Sequence, residues 1–280
     1  MKIHHLALFF ISIFFCCFYI YGFMSQKAVS YSTTDKEYSL MLTSACNASL
    51  EALNSEDFKD KNVFTYKNRI TALNTFYRVL AHNMNLDGAS DEQLIKNYVP
   101  LLIFVDTNGF YMIYSPEFNS SKEIILLEDF NEPMVLSSVY TWSRSYDGYI
   151  VRFYLNDYIE IIAPDGMKFD GCREELSKME IAKKLTFLLS EDEFESEKRD
   201  CILSKIENEI NLCLNTQKIN VDGYFTGYTV NLPFHEHDDY ADMIKNPSII
   251  TLMQGNQTIV SDKMYNIYSF VIAEMEMTMY

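Results

Sequence analysis

The apolar segment of residues 6–24 constrains this chain more than any other part of its sequence. Its sequence, LALFFISIFFCCFYIYGFM, contains no charged residue. An α-helix rises about 1.5 Å per residue, so a helix of this length measures about 28 Å and matches the hydrocarbon core of a bilayer. Residues 1–27 are therefore predicted to form a membrane anchor with one transmembrane helix. Residues 28–280 are predicted to form the body of the protein.

A retained anchor fits this segment better than a cleaved signal peptide does. Signal peptides have an apolar core of about 7–15 residues, followed by a cleavage site with small residues. The run here is longer, and the candidate site Ala28-Val29-Ser30 follows Lys27 directly. We expect the anchor to be retained, and the sequence alone leaves cleavage open.

The short leader before the apolar segment favours a cytoplasmic amino terminus. The positive-inside rule hardly distinguishes the two orientations, because Lys2 lies on one side of the segment and Lys27 and Lys36 lie on the other. The sequence predicts a single-pass protein of the cell membrane whose body is extracytoplasmic. The membrane itself is the first predicted partner.

The composition predicts a packed globular body with an acidic surface. Hydrophobic residues make up 48% of the chain and aromatic residues 15%, and the formal net charge is −16. Such a charge repels the phosphate backbone, so nucleic acid is not expected as a partner. The body is long enough for one large domain or two small ones, and a division near residue 170 is left open.

Two helices are predicted at the start of the body. Apolar residues recur at steps of three and four in residues 34–54 and again in residues 68–85. The first helix follows the membrane segment so closely that a stalk-like role is expected. Its apolar face, with Met41, Leu42 and Leu53, could be covered by a neighbouring protein or by the protein's own sheet. The sequence leaves these two alternatives open.

Two β-hairpins are the clearest units of the sequence. In the first, the turn Asp106-Thr107-Asn108-Gly109 separates apolar arms at 101–105 and 110–114. In the second, Asn156-Asp157 joins strands at 149–155 and 158–163. Because both arms of the first hairpin are apolar throughout, at least one is expected to be a central strand covered on both faces. With the helices, these hairpins predict an α+β fold with a mainly antiparallel sheet.

The second half of the body is predicted to return to helix and then to strand. One helical face is predicted from Leu176, Ile181, Leu185, Leu188 and Leu189. Ser190, with Glu193 three residues later, predicts the start of another helix, which is expected to end near Asn215. The remaining predicted elements are strands at 223–232, 249–253 and 265–273 and a short helix at 238–245.

No constellation of catalytic residues stands out, so no catalytic, cofactor-binding or metal-binding residue is assigned and no enzyme activity is expected. His235 and His237 come closest to a metal site, because in an extended chain they point to the same side. A polar loop is the simpler interpretation of this pair, and metal binding is left open. The single Trp142 is predicted to be a core residue.

Four cysteines follow the membrane segment: Cys46, Cys172, Cys201 and Cys213. If the last two lie on one helix, their Cα atoms are about 18 Å apart, beyond the roughly 7 Å limit for a disulfide. Disulfides would then join Cys46 and Cys172 each to one of them. Buried free thiols are the alternative, and the sequence does not decide between the two.

Two further stretches carry a family resemblance. YVPLLIFVDTNGFYMIYS (98–115) and NPSIITLMQGN (246–256), behind one amino-terminal span, resemble single-pass bacterial proteins of Tad-type pilus or secretion clusters that are similar to minor pilins. The resemblance implies a membrane-anchored assembly or interaction protein, a component of a pilus or secretion apparatus, with other protein subunits of a cell-surface assembly as partners. It lends no catalytic residues.

Two other functions compete with this interpretation. The first hairpin also resembles strand pairs of extracellular PAS-like or Cache-like sensor domains, which implies a ligand-binding module. The third possibility is a membrane-tethered metalloenzyme built on His235 and His237. An assembly protein is the expectation that best fits a chain with an anchor and no catalytic constellation.

Overall fold

The structure is a computed structural model that describes residues 36–54, 64–86, 95, 99–114, 124–127, 134–221, 245–260 and 263–275. The predicted membrane segment 6–24, the predicted elements at 223–232 and 238–244, and His235 with His237 lie outside these residues. Within the described part of the chain, no helix combines the length and the apolar character needed to cross a bilayer.

Two helices begin the described region, a second helical segment follows β8, and strands lie between these helical parts and after the second one. Helix α1 covers residues 36–53. The other elements are α2 (Tyr66–Asn83), β1 (Leu101–Asp106), β2 (Gly109–Tyr114), β3 (Ile124–Leu127), β4 (Met134–Ser137), β5 (Tyr140–Tyr146), β6 (Tyr149–Phe153), β7 (Tyr158–Ile162), β8 (Lys168–Cys172), α3 (Arg173–Ser177), 3₁₀ helices at Glu180–Lys183 and Thr186–Leu189, α4 (Glu191–Val221), β9 (Ser248–Val260) and β10 (Lys263–Glu274).

The described strands form one antiparallel sheet, which confirms the α+β prediction. The strand order is β10-β9-β1-β2-β5-β6-β7-β8, and β4 pairs with both β2 and β3. Both predicted hairpins are present: Asp106 pairs with Gly109 across the first turn, and Phe153 pairs with Ile159 across the second. Strand β1 lies between β2 and β9, so it is the central strand that its apolar sequence predicts.

The middle of the sheet is covered on both faces, and this follows from the alternation of side chains along a strand. Leu101, Ile103 and Val105 of β1 enter a core shared with α3 and α4, which we call the α4 core. Leu102 and Phe104 enter a core shared with α1 and α2, the α1–α2 core. Every residue of β1 is therefore buried.

Strand β2 divides its pairing between two neighbours. Gly109 and Phe110 pair with β5, whereas Ile113 and Tyr114 pair with β4. A Cβ atom at residue 109 would collide with the carbonyl oxygen of Tyr140. Glycine is needed here because the two backbones approach each other so closely. This contact joins β5–β8 to the central strands.

Helix α1 is part of the body, and the prediction of a stalk is wrong. Leu42, Ala45 and Leu53 are buried in the α1–α2 core. The hydroxyl of the buried Ser49 donates a hydrogen bond of 2.8 Å to the carbonyl oxygen of Ala72 on α2. Of the two alternatives for the apolar face of this helix, the structure shows packing within the protein itself.

Residues 173–190 depart from the single predicted helix. They form α3 and two 3₁₀ helices, and Leu189 is 60% exposed although it was assigned to the buried face. The segment instead turns repeatedly to place Leu176, Ile181 and Leu188 in the α4 core. The next helix starts as predicted, since the Glu193 amide donates to the Ser190 hydroxyl over 3.4 Å, but it continues to Val221 rather than ending near Asn215.

Candidate interaction face

Strands β5–β8 present two chemically different faces. Trp142, Val151, Phe153, Ile159 and Ile161 point into the α4 core and are fully buried. The side chains between them point away from α3 and α4, because neighbouring residues of a strand face opposite sides. None of these outward residues is buried. Among the described residues, helices therefore cover this part of the sheet on one side only.

The outward surface, which we call the open face, consists of two rows of residues across the four strands, together with Tyr158 and Cys172, which pair with each other on the same side. The pairing register aligns Ser143 with Arg152, Arg152 with Glu160, and Glu160 with Asp170. The second row runs Ser145, Ile150, Ile162 and Lys168 in the same way. Ile150 is 48% exposed at the centre of the face.

The charges of the open face are mixed and balanced. Arg152 Nη1 lies 2.7 Å from Glu160 Oε2, and Lys168 Nζ lies 3.6 Å from Glu160 Oε1. Asp170 supplies the second negative charge and accepts a hydrogen bond of 2.6 Å from the Tyr158 hydroxyl. This bond raises the pKa of Tyr158 to about 12, because losing the phenolic proton would break it and leave two adjacent negative charges. The open face is thus neutral, although the chain carries −16.

Helix α4 supports the back of this sheet through two tyrosine–glutamate pairs on β5. The Tyr146 hydroxyl donates to Glu197 Oε2 over 2.8 Å, and the Tyr140 hydroxyl hydrogen bonds to Glu209. Twelve helical residues cover about 18 Å and six strand residues about 20 Å. The two spacings match, so α4 runs along β5 in the opposite direction.

A second polar cluster lies at the turn of the first hairpin. Asp106 is fully buried, and its carboxylate accepts hydrogen bonds from the Phe64 amide at 3.0 Å and the Thr107 amide at 2.7 Å. The Arg69 guanidinium lies 3.9 Å from the ring centre of Tyr111 and donates to the Phe64 carbonyl. Burial raises the pKa of Asp106, and the two amides and Arg69 oppose part of that rise. These contacts join the start of α2 to the sheet, which is a structural role.

The described residues contain no group of three histidine, cysteine, aspartate or glutamate side chains placed to hold a metal ion. His82 is exposed on α2. The metal prediction for His235 and His237 stays open, since both lie outside the described residues.

The structure forms neither of the disulfide pairings that the sequence left open. Cys46 and Cys201 are buried free thiols, and Cys172 is an exposed free thiol. Each pairing considered from the sequence requires Cys46, so neither is formed. Burial raises the pKa of Cys201 to about 11, which keeps its thiol protonated and unreactive at neutral pH.

Trp142 is a core residue, as predicted, and stacks on Phe110 with ring centres 5.0 Å apart.

The open face was not predicted from the sequence. Strand β8 was not predicted, and neither was β5, so the four-stranded surface could not be assembled. The signal that could have found β5 is the alternation of large and small residues in YTWSRSY.

Comparisons with known proteins give no counterpart: no family model, no curated protein and no solved structure matches the chain. The functional proposal therefore rests on the open face and on the sequence.

Proposed function

We propose that this chain is a membrane-anchored, extracytoplasmic interaction protein that contributes its open face to a cell-surface assembly. The anchor is the apolar segment 6–24, which has the length and composition of a transmembrane helix. A component of a pilus or secretion apparatus is the kind of protein that the sequence resemblance supports.

The open face is the observation that carries this proposal. It joins the exposed Ile150 to the partly exposed Arg152 and Tyr158 on one face of the sheet, and aromatic residues and arginine are enriched in protein interfaces. Arg152 and Glu160 already bind each other, so covering them with a partner leaves neither charge unpaired. A surface of this kind can be covered at a lower electrostatic cost than the acidic start of α4, with Glu191, Asp192 and Glu193.

Photocrosslinking in living cells tests the proposal. A photoreactive amino acid replaces Ile150 in the full chain, and in a matched control it replaces Met179. Met179 is 45% exposed, but it lies beside Leu176 and Ile181, which enter the α4 core on the other side of the sheet. We expect a defined protein adduct from position 150 and none from position 179.

Equal adducts from the two positions, or none from position 150, would contradict the assignment of the open face as an interface. A small-molecule adduct at position 150 would instead favour the ligand-binding module. The membrane fraction is analysed in every case, so that the full chain is tested together with its anchor.

A further inference from the structure

We propose that the partner on the open face is a second copy of this chain, related to the first by a two-fold axis. This inference rests on the proposed function, because it uses the membrane anchor to bring two copies together. The open faces of the two copies would stack, with the outward side chains of β5–β8 in between.

The register of the strands makes the open face complementary to itself. An axis that runs parallel to the strands, between β6 and β7, exchanges β6 with β7 and β5 with β8. Arg152 of each copy then lies opposite Glu160 of the other, since these residues share one row of the sheet. Ile150 and Ile162 share the next row and meet in the same way. Such a contact is isologous and closes after two copies.

Charge favours a second copy at this face and opposes it elsewhere. Two chains of net charge −16 repel each other over most orientations. The first turn of α4 adds Glu191, Asp192 and Glu193, so a partner at that end of the molecule would have to be basic. The open face carries two positive and two negative side chains, Arg152 and Lys168 with Glu160 and Asp170. Under this axis Arg152 meets Glu160 of the other copy, whereas Asp170 and Lys168 lie opposite Ser143 and Ser145, so no like charges face each other.

The size of the face explains why the anchor matters. Four strands of about five residues give an area of roughly 300 Å², from a strand spacing of about 4.8 Å and a rise of about 3.3 Å per residue. A stable interface usually covers about 800 Å² on each partner. A contact this small is weak between freely diffusing molecules, whereas tethering in one membrane raises the effective concentration of the second copy.

The test reverses the charges of Arg152 and Glu160 in two separate variants of the full chain, which are examined alone and mixed. Donor and acceptor dyes are placed on carboxyl-terminal tags, the chains are reconstituted in liposomes, and energy transfer is measured at increasing protein density. We expect transfer above random co-localisation for the unchanged chain. We expect Arg152→Glu alone and Glu160→Arg alone to lose it, because each places like charges opposite each other. An equal mixture of the two variants should restore it.

Ile150→Lys provides a second variant that leaves all four charges in place. Its side chain is half exposed, so the fold should tolerate the change, and Met179→Lys is the matched control. Fluorescence of the buried Trp142 checks that each variant is folded. Energy transfer should fall to the random level for Ile150→Lys and stay unchanged for Met179→Lys.

Three results would overturn the inference: random transfer for the unchanged chain, unchanged transfer for Ile150→Lys, or no recovery in the mixture. Adducts of position 150 with other proteins, combined with random energy transfer, would reject the second copy and leave the proposed function standing. The absence of both adducts and transfer would reject the two proposals together.

Discussion

Asp106 shows how one buried residue connects distant parts of this chain. Its carboxylate accepts amide hydrogens from Thr107, its neighbour in the turn, and from Phe64, which precedes α2. Because the Phe64 amide is buried with it, water cannot replace the acceptor of that amide if the side chain is removed. The residue therefore holds the start of α2 against the end of β1.

Replacing Asp106 with alanine is expected to destabilise the protein by about 1–3 kcal/mol, the cost of leaving buried hydrogen-bond donors without an acceptor. Chemical denaturation of the detergent-solubilised chain, followed by the fluorescence of Trp142, measures the change. Asp165→Ala is the control, because Asp165 accepts a similar amide bond from Met167 but is exposed. Equal losses from the two variants would show that burial of the Asp106 network does not matter.

The pH dependence of stability tests the raised pKa of Asp106. Burial raises this pKa above its ordinary value, so the folded state holds the proton more tightly than the unfolded state. The stabilising contribution is fully present below the unfolded pKa, near 4, and is lost as the pH rises through the folded pKa. We expect the stability advantage of the unchanged chain over Asp106→Asn to shrink as the pH rises from about 4. An advantage that grows with pH would mean that the amides and Arg69 outweigh burial.

Among single residues, the sequence predicted the burial of those whose position depends only on their apolar character. Trp142 lies in the core, and Leu42, Leu73 and Phe76 are buried on their helices as their spacing indicates. The role of Asp106 was not predictable, because its contact with Phe64 joins residues 42 positions apart. A turn aspartate looks the same in sequence whether it is exposed or buried.

The long helix α4 depends on its contacts with β5 as well as on its apolar face. Ile202, Ile206 and Ile210 enter the α4 core. Glu197 accepts a hydrogen bond of 2.8 Å from the half-buried Tyr146 and one of 3.1 Å from Arg144. These polar contacts fix where the helix lies along the strand, because an apolar face alone would allow it to slide by a turn.

A double-mutant cycle of Tyr146→Phe and Glu197→Gln should give a coupling energy of about 1 kcal/mol, the typical worth of a partly exposed hydrogen bond to a charged group. Urea denaturation of the two single variants and the double variant measures it. The cycle of Tyr158→Phe with Asp170→Asn serves as the control, since that pair lies at the surface and should couple less. Coupling at Tyr146 no greater than at the surface pair would show that α4 is held by its apolar face alone.

Elements with local signals were predictable, and those defined by tertiary contacts were not. Asp147-Gly148 has positive φ angles at both residues, 47° and 86°, which is the turn chemistry that ends β5 and starts β6. Strand β8 has the sequence KFDGC, which carries no apolar alternation, and it exists because β7 pairs with it. The segment 173–190 looked helical because several leucines lie three or four residues apart, a spacing that 3₁₀ turns also satisfy.

On the scale of the whole molecule, the proposed anchor requires a membrane and the proposed interface on the open face requires a protein partner. One chain can meet both requirements. Among the described residues, helices cover the sheet where both faces of its strands are apolar, and the sheet is open where the outward rows carry equal numbers of positive and negative side chains. An acidic body would be repelled by an anionic membrane surface, because both would carry negative charge. The anchor would then limit the motion of the body to the plane in which its partners lie.

The location of the body outside the cytoplasm is the last prediction. If the apolar segment 6–24 anchors the chain and the body lies outside the cytoplasm, the body is accessible to protease added from outside. Protease added to intact cells or protoplasts that express the full chain should therefore digest the body and leave a short membrane-embedded fragment. A cytoplasmic protein of the same cells serves as the control for leakage and should remain whole. If the body is protected until the cells are lysed, it lies in the cytoplasm, and a cell-surface assembly cannot be its place of action.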